Sequence, residues 1–406
     1  ASRGEVHLLD ATGKELPGFP FKWQDEMRGL AAGDIDADGN LELIATTTTP
    51  ATESYPRDSV VAIYNEGSMV HGFPPNGSGT SGCTSTTCYI TGGYDQNIAL
   101  GDVDGDHQVD VFVSQDNAYM SLHSGTGGAF GAASIYKKNV KFAGIRWMVD
   151  YALAQAGVGG LDTDLQAHFT NTAPSIADLD GDGTAELISL GSIQNVAQDE
   201  REQGVGLFVA HHDGTRPAEW IVPPLFPSYL GGLWDSEDSD NIVGITNQVA
   251  IADLDPSHTG LEMVFAGFDG AIHAVDAHAK PLWTRKYTSD ATTWTSGVVI
   301  ADLSGDGVPE IVFTTYGPKG GDLVVLDAAG NELQRVALGG RGAMPVPTIA
   351  DVDGDGSLDI VVSLKDAVDK QKSVLVYKVP GSSNNCMAWP TARGNDRRDG
   401  YLPPRS

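Results

Sequence analysis

Helix-length apolar runs are absent from this chain. No stretch of eighteen apolar residues occurs in its 406 positions, so the sequence contains no membrane-spanning helix. Positive charge is scarce: 25 lysines and arginines stand against 54 aspartates and glutamates, a formal charge of −29. Nucleic acid is therefore an unsuitable partner, because binding it depends on neutralising phosphates. Charged residues reach only 19% while glycine is plentiful at 50 residues. That balance suits buried sheets joined by many turns rather than disorder or long helices. There is no Gly-x-Ser-x-Gly elbow and no His-Glu-x-x-His, so a hydrolase nucleophile elbow and a zincin are excluded. Only three cysteines occur. Cys83 and Cys88 lie close together in SGCTSTTC, where a small disulfide loop would fit an oxidising compartment. Zinc is the rival there, but no third and fourth soft ligands stand nearby, and Cys386 is left over.

What the chain has in abundance is one short pattern: apolar strand, aspartate-rich loop, apolar strand. It occurs six times, at residues 30–47, 98–114, 175–191, 250–267, 299–315 and 348–364. The first copy, LAAGDIDADGNLELIATT, carries Asp34, Asp36, Asp38 and Glu42. The same frame gives Asp102, Asp104, Asp106 and Asp110, then Asp178, Asp180, Asp182 and Glu186. The fifth copy has Asp302, Ser304, Asp306 and Glu310; the sixth has Asp351, Asp353, Asp355 and Asp359. Alternating carboxylates on a tight loop can converge on one hard cation, and calcium takes six to eight oxygens. The glycine that follows permits the sharp turn. An EF-hand is excluded because its twelfth position needs a bidentate Glu; here that position holds Ala45, Val113, Ser189, Phe313 and Val362. Asp-Gly runs are ordinary turn chemistry when met singly, but five near-complete copies in one frame argue for ligands. Two copies depart. His107 replaces the glycine of the second. The fourth, with Asp253, Asp255 and Glu262, is one residue longer, contains Pro256 and lacks the third aspartate, so a weak or empty site is expected there.

The copies resemble the FG-GAP (VCBS-type) repeats of integrin α-subunit heads and of bacterial secreted proteins. The segments VHLLDATGKELPGFP (6–20) and WPTARGNDRRDG (389–400) extend the resemblance to both ends. It implies an all-β fold, a β-propeller in which each repeat is one four-stranded blade and its loop binds calcium. Five to six Ca2+ are expected. The motif acids number 22 of the 54, and six Ca2+ would bring the net charge to about −17. Calcium-filled loops suit a secreted, periplasmic or cell-surface protein, where calcium is millimolar. One domain spanning 1–406 is expected, with six or seven blades, seven preferred. In that arrangement the N-terminal hairpin is completed by the C-terminal segment, which closes the ring and removes exposed strand edges.

The first aspartates of the copies fall at 34, 102, 178, 253, 302 and 351. The first three intervals are long and the last two short, which places insertions at 66–97, 134–172 and 193–248. Function is expected there, because loops on a rigid scaffold carry it. Residues 68–97 read as loop. Residues 143–156 place Ile145, Met148, Val149, Ala152 and Leu153 at helical spacing, which predicts a short helix of about three turns. Trp220 and Trp234 in the third insertion are candidate surface anchors for a ligand. His71, His123, His168 and His211 are the first histidines to test for ligand contact. A transition metal held by several blades at the axis is a further alternative, without a motif behind it. The expected function is recognition of a protein or glycan by a monomer. The alternative is a secreted lyase, hydrolase or metal-dependent enzyme with its active site over the axis.

Overall fold

The computed structural model describes residues 4–48, 59–75, 88–90, 97–114, 118–130, 132–137, 140–156, 165–169, 172–194, 204–226, 247–257, 259–365, 373–383 and 387–403. Cys83, Trp234 and Cys386 lie outside them, and with Cys83 the expected disulfide.

Six antiparallel sheets follow one another along the chain, and each carries one aspartate loop between its first two strands. The first runs Glu26–Gly33, Glu42–Thr48, Ser59–Ile63. The third runs Ser175–Ala177, Glu186–Gln194, Val205–Ala210, Leu225–Phe226. The fifth runs Val299–Ala301, Glu310–Tyr316, Gly321–Leu326, Glu332–Leu338. The sixth has three strands among the described residues, Thr348–Ala350, Leu358–Ser363 and Val374–Val379. These are the blades of a β-propeller. Their middle strands are near-continuous apolar runs, because successive sheets cover both faces. Every residue of Val205–Ala210 and of Asp110–Ser114 is buried. The cores lie between neighbours: Ile44, Val60 and Ala62 of the first sheet pack with Ile98, Leu100 and Val111 of the second.

The chain's last segment binds these sheets together. Residues Ala32, Leu100, Ile176 and Ile349 each stand two positions before the first aspartate of their loops. Their amides donate to Arg397 O (2.9 Å), Asp399 O (2.7 Å), Gly400 O (2.9 Å) and Pro390 O (2.8 Å) respectively. Trp389 pairs with Ile300 at the same position of the fifth sheet, and Tyr401 pairs in parallel with Ile176. The tail thus meets the innermost strands of sheets five, six, one, two and three in that order. It runs through the centre those strands surround. Arg393 is 2% exposed and donates through Nη2 to the carbonyls of Ile98 and Pro174. A Cβ at Gly101 would stand 2.7 Å from the Tyr401 ring, so the close approach of the tail requires glycine there.

Three sequence expectations change. The C-terminal strands Met387–Trp389 and Tyr401–Leu402 pair with the inner strands of the fifth and third sheets, not with the N-terminal hairpin. That hairpin, Glu5–Val6 with Phe21–Lys22, instead lays Val6 against Met27, Ala45 and Val61 of the first sheet. The helix is shorter than its apolar spacing predicts, spanning Tyr151–Ala156. Gly144 adopts φ +99°, and Ile145 and Arg146 pair with Met120 and Tyr119 as a strand, so sheet pairing overrides the helical period. The loop-like first insertion contributes a strand, Cys88–Ile90, which pairs in parallel with Val140–Ala143 of the second insertion. The first two insertions therefore meet.

Candidate metal centres

Five of the six loops are folded around their own first aspartate. Asp178 accepts the amides of Gly181 (2.9 Å) and Gly183 (3.0 Å). Asp302 and Asp351 repeat this with Gly305 and Gly307, and with Gly354 and Gly356. The second of these amides belongs to a residue with positive φ, +92° at Gly183 and +89° at Gly307. His107 occupies that position in the second loop with φ +67°, a conformation that glycine adopts more easily. The closing acid ties the loop base in all six copies. One oxygen of Glu42, Asp110, Glu186, Glu262, Glu310 or Asp359 accepts the amide of the residue after the first aspartate, at 2.7–3.1 Å.

The loops gather acid without balancing it. Oxygens of Asp34, Asp36 and Glu42 lie within 4.8 Å of one another, as do those of Asp102, Asp104 and Asp110, of Asp178, Asp180 and Glu186, and of Asp351, Asp353 and Asp355. The fourth and fifth loops form no such group among the described residues; the fifth has Ser304 in place of an acid. Burial, reinforced by the surrounding aspartates, pushes Glu42 and Asp110 up to about 7 and Glu186 up to about 8. Glu310 is raised for the same first cause. The second oxygens of Glu42 and Glu186 are buried with no hydrogen-bond partner. An orphaned carboxylate oxygen in an acidic cradle costs free energy unless a cation reaches it. The donor set fits a hard divalent cation such as calcium.

One position, of which the sequence singled out only His211, follows the strand opposite each closing acid. The strand register ends at Leu43–Ile63, Val111–His123 and Leu187–Ala210, and continued by one position it sets Glu42 opposite Tyr64, Asp110 opposite Ser124, and Glu186 opposite His211. The same one-position continuation sets Glu262 opposite Asp276 and Glu310 opposite Asp327, while Asp359 and Lys378 are paired directly. Lys378 Nζ contacts Asp353 and lies 3.0 Å from Asp355. The sixth loop therefore holds a cation of the protein's own.

The other sequence candidates do not converge. His71 is exposed. His123 is 1% exposed, and burial holds its imidazole neutral with a pKa of about 4. His168 is half-buried in a strand paired with Glu186–Gln194. His211 stands beside Glu186. No group of metal-ligating side chains among the described residues contains any of these four. Trp220 is not a surface anchor. It is 1% exposed in a short 3-10 turn, with Nε1 donating to Ala277 O at 2.8 Å, and it joins the core between the third and fourth sheets.

No protein-family model matches the chain, and no curated protein matches it. Among solved structures it is similar to the rhamnogalacturonan lyase YesW, at 16% identity and a TM-score of 0.40 over 97% of this chain. The chain spans 55% of that lyase. It is similar to the V. cholerae biofilm matrix protein Bap1, at 16% identity and a TM-score of 0.42, covering 95% of this chain and 83% of that one. The Dos1 propeller matches at 12% identity and a TM-score of 0.45, covering 95% and 75%. At TM-scores below 0.5 none of these likenesses bears on function. No helix of the described residues is long and apolar enough to cross a membrane.

Proposed function

We propose that the chain is a calcium-binding β-propeller of the FG-GAP kind, working outside the cytosol, whose loops are rigidified by cations and whose insertions recognise a protein or glycan. The observation that carries the calcium reading is the pair of buried oxygens on Glu42 and Glu186 that lack a hydrogen-bond partner, each inside a cluster of aspartates. The first three loops support it best. The fourth lacks the frame, the fifth has Ser304, and the sixth already holds Lys378. The blades we count are the six loop-bearing sheets, with the N-terminal hairpin as a seventh, incomplete one.

Recognition by the insertions is supported by the strand pairing of 88–90 with Val140–Ala143, which joins two of the three into one sheet. The enzyme reading requires an active site over the axis. The tail hydrogen-bonded along the inner strands leaves that reading without an observation in its favour. The test is metal analysis and calorimetric titration of the chelator-stripped chain. Calcium should bind at three or more sites, and Asp34→Asn, Asp102→Asn and Asp178→Asn should each remove one. Titration heats at baseline for the stripped chain would sink the proposal.

A further inference from the structure

After its third strand, each of the first four sheets sends an aromatic side chain to the sheet that follows. Phe73 shares a core with the first and second sheets, and Phe130 meets the ring of His212 edge-on at 6.0 Å. Trp220 Nε1 donates to Ala277 O of the fourth sheet at 2.8 Å, and Trp283 Nε1 donates to Ala328 O of the fifth at 2.9 Å. The fifth sheet has no such ring. Its outer strand pairs Gln334 with Val325, the place where the fourth sheet pairs Trp283 with Ala274. Val325 and Ala274 are each the last residue but one of their third strands. The turns that receive the rings show the difference directly. A Cβ at Gly330 (φ +80°) would stand 2.7 Å from the Trp283 indole. At its counterpart in the sixth sheet, Gly381 (φ +92°), a Cβ would meet no described atom within 4 Å.

The space beside Gln334 is a cavity of about 340 Å³ between the fifth and sixth sheets, near the lower end of the ~300–1,000 Å³ of small-molecule sites. Leu323, Val325 and Val336 wall it on one side, and Ile360, Tyr377 and Val379 on the other. Leu333 also lines it and is 54% exposed, whereas its counterpart Leu282 packs against a core. Apolar walls open to water favour an apolar occupant. The charges at the rim are already matched: Lys378 turns its ammonium to Asp353 and Asp355, and one oxygen of Glu310 accepts the amides of Leu303 and Ser304. An ionic ligand therefore gains little there. Val379 O stands where Ala328 O receives an indole, but it already accepts Ser382 Oγ at 2.6 Å. The polar edge of a ligand therefore meets Gln334, whose amide offers both a donor and an acceptor.

We infer that the cleft between the fifth and sixth sheets binds an uncharged, planar aromatic small molecule of indole size, seated where the other junctions hold a ring of the chain itself. The inference rests on packing between sheets and stands apart from the cation reading. The test uses the full chain with indole as the probe. Calorimetric titration should show one saturable site with a Kd below about 1 mM. Fluoroindole should broaden in the fluorine NMR spectrum on adding the protein, and excess indole should reverse this. Gln334→Trp supplies the missing ring at an exposed strand position. It should weaken indole binding at least about tenfold and raise Tm in the absence of ligand. Gln334→Ala keeps the walls and should weaken binding less than about tenfold, the loss of one neutral hydrogen bond. Trp283→Gly empties the equivalent space at the preceding junction and should gain a second indole site, which shows that the assay detects such a cavity. Titration of the wild type without saturation, or equal affinity in wild type and Gln334→Trp, overturns the inference. Saturation by N-acetyltryptophanamide but not by indole would assign the cleft to a side chain of another protein, and overturns the small-molecule assignment.

Discussion

The first three repeats and the last three share a loop and differ in what surrounds it. In the first half the closing acids Glu42, Asp110 and Glu186 are strongly raised, one oxygen each of Glu42 and Glu186 lacks a hydrogen-bond partner, and His211 stands beside Glu186. In the second half the frame erodes: Pro256 interrupts one loop, Ser304 replaces an acid in the next, and Lys378 supplies a built-in ammonium to the last. The long insertions also belong to the first half. Apolar packing between sheets holds both halves. The difference therefore teaches that a blade of this chain does not need its cation to be a blade. The first half keeps costly unbalanced acid, which is reasonable only where a cation returns the cost.

The tail tests whether the halves are one unit. It bonds to Ile300 and Ile349 on one side and to Ala32, Leu100 and Ile176 on the other. A chain ending at residue 383 should lose cooperative unfolding altogether, read by calorimetry. The milder variant Arg393→Ala leaves the carbonyls of Ile98 and Pro174 without their shared donor. It should cost on the order of 3 kcal/mol, since hydrogen bonds to a charged group are worth about 1.5–3 kcal/mol each. A truncated chain that melts like the full one would show that the halves stand without the tail.

Chelation should separate the halves. A ligand present at a hundredfold excess over its Kd stabilises the folded state by about 2.7 kcal/mol per site, so removing calcium should lower Tm by about ten degrees or more. Asp34→Asn with Asp178→Asn should abolish most of that chelator-sensitive shift. Asp302→Asn with Asp351→Asn should abolish less. Equal losses in the two double variants would erase the distinction between the halves.

What the sequence made legible were features whose parts are contiguous. Asp34, Asp36, Asp38 and Glu42 lie within nine residues, so their frame and its strand flanks can be read directly. The position opposite the closing acid could not be read. Glu186 and His211, or Asp359 and Lys378, meet only through strand register, and register depends on the whole sheet. The tail was visible as a pattern, but its course was not, because backbone carbonyls make its bonds and carry no residue signature. The helix over 143–156 failed at Gly144, where positive φ and pairing with Met120 drew Ile145 into a sheet. Trp220 failed because a polar, proline-flanked stretch looks like exposed loop, while its 3-10 turn folds the indole inward.

That last correction reverses an expectation. A surface anchor would be thermodynamically silent, whereas burial of Trp220 between the third and fourth sheets makes Trp220→Ala cost about 3–5 kcal/mol. The loss should be the same with and without chelator, since the indole bonds the Ala277 carbonyl rather than a loop carboxylate. A melting curve unchanged by the substitution would return Trp220 to the surface.

His123 offers a pH readout in a sheet of the first half. Its folded pKa is about 4, against an ordinary value of 6.5, because burial disfavours the imidazolium. Between pH 6.5 and 4 the unfolded chain binds a proton that the folded chain refuses. This group therefore lowers stability as pH falls through that window, by at most about 1.4 kcal/mol per pH unit. His123→Leu should remove that slope from the difference between the two proteins. Parallel stability–pH curves for wild type and variant would contradict a buried neutral imidazole.

The smallest effect is expected in the sixth loop, and it sharpens the comparison most directly. Lys378 is drawn to Asp353 and Asp355, and its own pKa is raised first by the hydrogen bond to Asp353. The ammonium is more than half exposed at 58%, so solvent screens the pair and a calcium ion can displace it at modest cost. Lys378→Met keeps the stem and removes the charge. It should tighten calcium at the sixth loop by about two- to fivefold, the range of an exposed ion pair, and leave the first three loops unchanged. Competition titration against a calcium indicator reads this, with Asp351→Asn identifying the sixth loop's share. The gain should shrink as salt rises, because salt screens the ammonium that the variant lacks. If Lys378→Met instead weakens calcium there, the lysine is organising the loop rather than occupying it. The sixth loop would then belong with the first three.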